Sequence, residues 1–185
     1  DAMEIAVLEL SGEGLIGIPD PTRIFSRSRE KPVCGAVSTV IPLGQRMVAC
    51  EVQALVCKKE AGAKRITNGM DHWRLHILLN CIKQHGGLTL DISDYDVYIS
   101  VMGGMDIENR GGDLAIVLAI FSAFYEIPLS DIIAIGEVAL TGEIVQMGVD
   151  MTRLGDVDKE RLVVPKNGST IKNIFKQLTP PTTAQ

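Results

Sequence analysis

Alternation of apolar and polar residues is clearest at positions 34–41 and 47–57, where a period of two predicts a pair of β-strands. The turn between them is read at Pro42-Leu43-Gly44-Gln45, and Val48, Cys50, Val52, Ala54 and Val56 share one face of the second strand. Positions 4–10 and 14–18 are shorter apolar runs split by Ser11-Gly12-Glu13, which predicts an opening hairpin. Asp20 before Pro21 has the form of an N-cap and a first-turn proline, and predicts a short helix ending near Phe25. The polar run at 26–31 reads as a loop. Leu75, Leu78, Leu79 and Ile82 recur at helical spacing until Gly86-Gly87 ends the pattern. Positions 95–101 form a strand with Val97, Ile99 and Val101 on one side.

From Asp113 to Tyr125 the chain is apolar nearly all round, which predicts a central helix covered on every side. A buried strand follows at 132–135, a hairpin at 138–147 through Thr141-Gly142, and a last strand at 161–164. Ser169 is read as the cap of a final helix with Ile171, Ile174, Phe175 and Leu178 in one stripe. Residues 179–185 read as a frayed tail. Mixed strands and helices in this order predict an α+β domain of two layers, a mixed sheet under helices, over residues 3–178, with neither an internal repeat nor a second domain.

Composition changes the picture in three ways. At 185 residues with 46% hydrophobic but 4% aromatic positions, the core is built from Val, Ile, Leu and Ala. No apolar run is long enough to span a bilayer, and the opening residues do not read as a signal peptide. The four cysteines, Cys34, Cys50, Cys57 and Cys81, have no CxxC spacing; this excludes a zinc knuckle, favours a reduced compartment and reads as four small core residues. A net charge of −5 excludes a surface coated in positive charge and leaves room for a local basic patch.

That patch is Lys58, Lys59, Lys64, Arg65 and Arg74, placed around a glycine-containing loop next to a helix start, where several cations suit phosphate contacts. Arg110 is a further candidate. A solvated loop would look much the same. His72 and His76 lie four apart on a predicted helix, a spacing able to hold a metal, but the glutamate of HExxH and a third ligand are missing, so they are read as surface or interface histidines and no metal site is expected. Asp113 is read as the cap of the central helix. Ser100, Ser122 and Ser130 lack a nucleophile elbow or a paired base. No GxxxxGK[ST] run occurs, so no ATP site is read in this chain.

The segments VMGGMDIENRGGDLAIVLAI (101–120) and GEVALTGEI (136–144) resemble the catalytic half of a Lon-type peptidase domain with its chemistry removed. In those peptidases a PSAG-like stretch before an apolar helix supplies the serine nucleophile, and a lysine beyond the GE hairpin is the base. Here the serine position matches Gly111 and the lysine position falls on Arg153, and Ile135 stands where the peptidases keep a threonine before the GE pair. Glycine offers no attacking atom, and a guanidinium stays protonated and accepts no proton. EVQALVCKKEAGAKRITNGMDHWRL (51–75), GGDLAIVLAI (111–120), LVVPK (162–166) and GLIGIPDPTRIF (14–25) are similar to the C-terminal Lon-like domain of the bacterial RadA (Sms) recombination ATPases, with Lys64, Arg65 and Arg74 on that family's RRxxxGxDxxR pattern.

The resemblance covers nearly the whole chain and implies a Lon-protease-like (ribosomal-protein-S5-domain-2-like) fold without proteolysis. It implies self-association into a ring-shaped homo-oligomer, a hexamer, and sequence-independent contact with double-stranded DNA. ATP and zinc belong, on this expectation, only to upstream domains of a DNA-dependent ATPase, and the setting is the bacterial cytoplasm or an organelle matrix or stroma. Between Arg153 and Val164-Pro165 the chain is about three residues shorter than the peptidases, so the helix carrying the base should lose roughly one turn. Two other readings stay open: a purely structural assembly module without DNA binding, and an active peptidase of unusual chemistry.

Overall fold

The computed structural model describes residues 6–12, 14–18, 25–26, 29–87, 91–148, 151–154, 157–166 and 168–179. The expected cap and helix start at Asp20-Pro21, the hairpin residue Glu13 and most of the expected tail lie outside the described residues. An opening hairpin of β1 (Leu8–Ser11) and β2 (Gly14–Gly17) stands as its own antiparallel pair. The main sheet has six strands: β3 (Ala36–Leu43), β4 (Arg46–Lys58), β5 (Arg65–Asn68), β6 (Tyr95–Val101), β7 (Ile133–Ala134) and β10 (Leu162–Val163). Their order is β10-β7-β3-β4-β6-β5, with β3/β4 and β4/β6 antiparallel and the other pairs parallel, so the architecture is the expected mixed α+β one. A small hairpin, β8 (Glu137–Val138) with β9 (Ile144–Val145), turns through Gly142.

The period-two reading of β4 holds: Val48, Cys50 and Val52 are buried, and their register partners Ile41, Thr39 and Val37 on β3 lie on the same face. Pro42 and Leu43 belong to the strand rather than the turn, which shrinks to Gly44-Gln45, with Gly44 at φ 61. Antiparallel strands closed by two residues need a left-handed position that glycine takes without strain. Onto this face packs α2 (Asp113–Tyr125), in which every residue from Asp113 to Ser122 is buried. Truncating any one of its large apolar side chains to alanine would cost about 2–5 kcal/mol. Helices α1 (His72–His85) and α3 (Ile171–Leu178) flank it, and Phe121 of α2 stacks on Phe175 of α3 with ring centroids 4.2 Å apart.

Several local expectations are corrected. Thr170, not Ser169, caps α3, accepting from the Asn173 amide. The last strand is two residues long, because Arg161 closes a 3-10 turn, Lys159–Arg161. Cys50 and Cys81 are buried as expected, whereas Cys34 and Cys57 are exposed. A second, smaller core lies on the opposite face of the sheet, where Leu154 and Val157 cover Val40, Ala49, Ile133 and Ile135. Among the described residues no helix is long and apolar enough to cross a membrane.

Gly69 joins β5 to α1 at φ 81, and a Cβ there would lie 2.5 Å from Val101 Cβ and closer still to the Met105 carbonyl oxygen. Gly69→Ala should therefore lower the free energy of unfolding in urea by more than about 1 kcal/mol, since strain in the left-handed region adds to the clash. An unchanged midpoint would contradict this placement.

Candidate functional site

The segment singled out as the lost serine loop builds the start of α2. Asn109 accepts a hydrogen bond from the Gly111 amide at 2.9 Å and closes a 3-10 turn, Arg110–Gly112, that runs directly into the helix. This corrects the reading of Asp113: Gly112 occupies the cap position of α2, and Asp113 is the helix's first residue, its carboxylate turned to a different partner. Arg74, in the first turn of α1, donates Nε to Asp113 Oδ1 at 3.0 Å and Nη2 to Oδ2. The Val138 amide donates to the same Oδ2 at 3.1 Å, and Arg74 Nη2 also reaches the Val138 carbonyl oxygen at 3.0 Å. One bidentate pair therefore ties together α1, α2 and β8.

Only 3% of the Asp113 side chain and 16% of the Arg74 side chain are exposed. Burial pushes the Asp113 carboxyl upward, while the Arg74 guanidinium and the Val138 amide pull it down. The nearby Glu137 carboxylate adds to the upward push, and the net direction is upward. The hydrogen bond that Arg74 donates to Asp113 in turn raises the Arg74 guanidinium. A crevice of about 300 Å³ lies between the starts of α1 and α2, with Arg74 and Asp113 in its wall and Asn109 and Arg110 at its side.

The two positions matched to the peptidase chemistry make the following contacts. A Cβ on Gly111 would meet Asn109 Oδ1 at 2.9 Å, with Met147 and Ile135 carbons at 3.7 and 3.9 Å. Arg153 donates Nε to the Gln45 carbonyl oxygen and Nη2 to that of Gly44, both at 2.8 Å, clamping the β3-β4 turn. Short 3-10 turns, Met151–Arg153 and Lys159–Arg161, stand where the resemblance implied a shortened helix. The Ser122 hydroxyl accepts from the Gly35 amide and donates to the Ile127 carbonyl oxygen, and the Ser130 hydroxyl accepts from the Val33 amide. Burial pushes the Cys50 thiol up to about 12, with Glu51 adding to it, so that thiol stays protonated.

The basic cluster divides. Lys58, Lys59 and Lys64 flank the loop between β4 and β5; Lys58 and Lys64 are exposed, and Lys59 pairs with Asp94 at 2.9 Å. Arg65 is not on a loop: it opens β5, and its guanidinium donates to the carbonyl oxygens of Lys64, Tyr95 and Ile92. Arg74 is committed to Asp113, and Arg110 pairs with Glu137 at 2.9 Å from a largely exposed position. The sequence pattern missed a second buried pair, Arg29 with Glu51 at 2.6 and 2.8 Å, whose only visible signal is a glutamate within an otherwise apolar stretch of β4. No group of three or more His, Cys, Asp and Glu side chains comes together as a metal centre among the described residues.

The same stretches align with known proteins. The chain is 32% identical over 179 residues to DNA repair protein RadA of Haemophilus influenzae, covering 92% of this chain and 39% of the relative. It is 36% identical over 160 residues to DNA repair protein RadA of Campylobacter jejuni, covering 85% of this chain and 35% of that protein. This chain is a RadA homologue. DNA repair protein RadA of Escherichia coli matches at 33% over 167 residues, 88% of this chain and 36% of the relative. The chain thus spans little more than a third of the length of the curated RadA proteins it matches. No protein-family model matches it.

Arg74→Ala would leave the Asp113 carboxylate buried without its partner, and urea unfolding should show a drop of about 3–5 kcal/mol. Arg74→Met combined with Asp113→Leu should recover part of that drop, because it removes both charges but takes away the partners of the Val138 amide and carbonyl. A single-variant effect below about 1 kcal/mol would show that the pair does not hold the helices together.

Proposed function

We propose that this chain is the non-proteolytic, Lon-like part of a RadA-type DNA repair and recombination protein, acting as an assembly scaffold and a duplex-DNA contact surface for an adjoining ATPase. Its alignment with proteins named DNA repair protein RadA supports the repair setting. The observation that carries the non-proteolytic reading is the state of the two catalytic positions: Gly111 has no side chain and the Asn109 cap stands against it, and the Arg153 guanidinium is spent on carbonyl oxygens. ATP hydrolysis and any zinc belong to the rest of such a protein, and the setting is the cytoplasm or an organelle matrix. Self-association into a ring, with six copies as the expected number, has support in the exposed leucines Leu8, Leu10 and Leu15, which lie on one face of the β1-β2 hairpin.

The DNA contact rests on Lys58, Lys59 and Lys64, which flank the β4-β5 loop at one end of the sheet. Binding there is to the phosphate backbone and independent of sequence. Lys58→Ala with Lys64→Ala should weaken duplex binding and reduce the slope of log K against log salt by about two, near 0.9 for each phosphate no longer neutralised. Fluorescence anisotropy across a salt series reads this directly, and an unchanged slope would remove these lysines from the interface.

The reading as a purely structural assembly module is favoured by the internal commitment of Arg65 and Arg74 and by the net charge of −5. Size-exclusion chromatography with and without duplex DNA separates it from the DNA-contact reading. For the peptidase reading, Gly111→Ser with Arg153→Lys should give no cleavage of an unfolded protein substrate, because the new hydroxyl meets the Asn109 cap and the Arg153 site faces the β3-β4 turn. Measurable turnover from that double variant would contradict the proposal.

A further inference from the structure

The first turns of α1 present His72 and His76 one helical turn apart, with their Nε2 atoms 3.1 Å from each other and ring centroids 4.7 Å apart. A divalent late transition ion takes imidazole nitrogens at about 2.0–2.1 Å, so two nitrogens on one ion stand about 2.9 Å apart at a right angle and about 3.3 Å apart at the tetrahedral angle. The observed separation falls between these values. We propose that His72 and His76 form a two-nitrogen chelate for a divalent ion of the copper, nickel and zinc class, with water filling the remaining positions. This site is independent of the DNA-contact reading and uses none of its residues.

The backbone holds the pair in place. Asp71 caps the helix through the Trp73 amide at 3.0 Å, and Asn80 donates to the His76 carbonyl oxygen at 2.8 Å. Leu75, Leu78 and Leu79 are buried in the main core and fix the face of α1 that looks outward. Chelation therefore needs no rearrangement of the main chain, only side-chain rotations that aim both rings at one ion and the tautomer in which each Nε2 offers its lone pair. Trp73, 74% exposed, stands beside the pair with its ring 6.1 Å from that of His72 and 6.0 Å from that of His76. It is the chain's single tryptophan, so its emission reports on an ion bound beside it, and the His85 variant below tests the other histidine that lines the same groove. Nitrogen ligands without a thiolate suit ions of borderline softness, and affinity should rise toward copper.

The competing explanation of the same distance is a hydrogen bond between two neutral imidazoles, with no affinity for an ion. Titrating the chain with Ni²⁺, which exposed thiols such as Cys34 and Cys57 do not reduce, distinguishes the two. Expected are saturable quenching of Trp73 at one ion per chain, displacement of Ni²⁺ by Zn²⁺, and a higher thermal midpoint in the presence of the ion. His72→Asn and His76→Asn should each weaken binding by at least about tenfold and abolish the thermal shift. His85→Asn, which alters the third histidine, bonded to the Leu140 carbonyl oxygen, should leave both unchanged. Absence of saturable quenching overturns the proposal, as does quenching that survives both His72→Asn and His76→Asn.

Discussion

The arrangement depends on one buried ion pair. Asp113 begins the helix that fills the core, Arg74 sits in the first turn of the helix beside it, and the β8 strand supplies both a donor and an acceptor to the same two side chains. Breaking either partner strands a charge in an environment that solvates it poorly, so the three elements keep their relative positions or the domain loses a large part of its stability. The glycine turn before α2 follows from this. Gly112 leaves no room for a side chain, its Cβ position lying 2.6 Å from Ile107 Cγ2, and the close approach lets Asp113 reach Arg74 and Val138 together.

The same geometry shows what occupies the loop that resembles a peptidase centre. Catalysis by a serine and a lysine needs a hydroxyl next to an amine that can shed its proton. Here the first position is closed by the Asn109 cap and the second is a permanently charged fork holding a hairpin turn. Arginine suits the clamping of that turn, since its planar donors reach two carbonyl oxygens at once, where an ammonium offers a single point of charge.

Much of the fold was legible in sequence because it obeys local periodicity. The all-apolar run at 113–125, the alternation in β4 and β6, and the glycines ending α1 each state their structure within a few residues. What escaped depends on partners far along the chain. β5 is four residues with no strong alternation, and it becomes a strand because β6, some thirty positions later, gives it a parallel edge to pair with. Asp113 has the look of a cap, and only the return of Arg74 across 39 positions shows its real partner. The basic cluster illustrates the limit most plainly: five cations close in sequence look equivalent along the chain, whereas in space Arg65 turns onto three carbonyl oxygens and Arg74 onto a carboxylate, leaving lysines at the surface.

The most direct measurement of the central claim is the side-chain signal of Arg74 in nitrogen-edited nuclear magnetic resonance at neutral pH. A guanidinium locked bidentate on a buried carboxylate should show an Nε proton that is resolved, shifted from the free-arginine position and slow to exchange with water, and Asp113→Asn should weaken that protection. A wild-type Arg74 Nε proton that exchanges as rapidly as that of an exposed arginine would contradict the account.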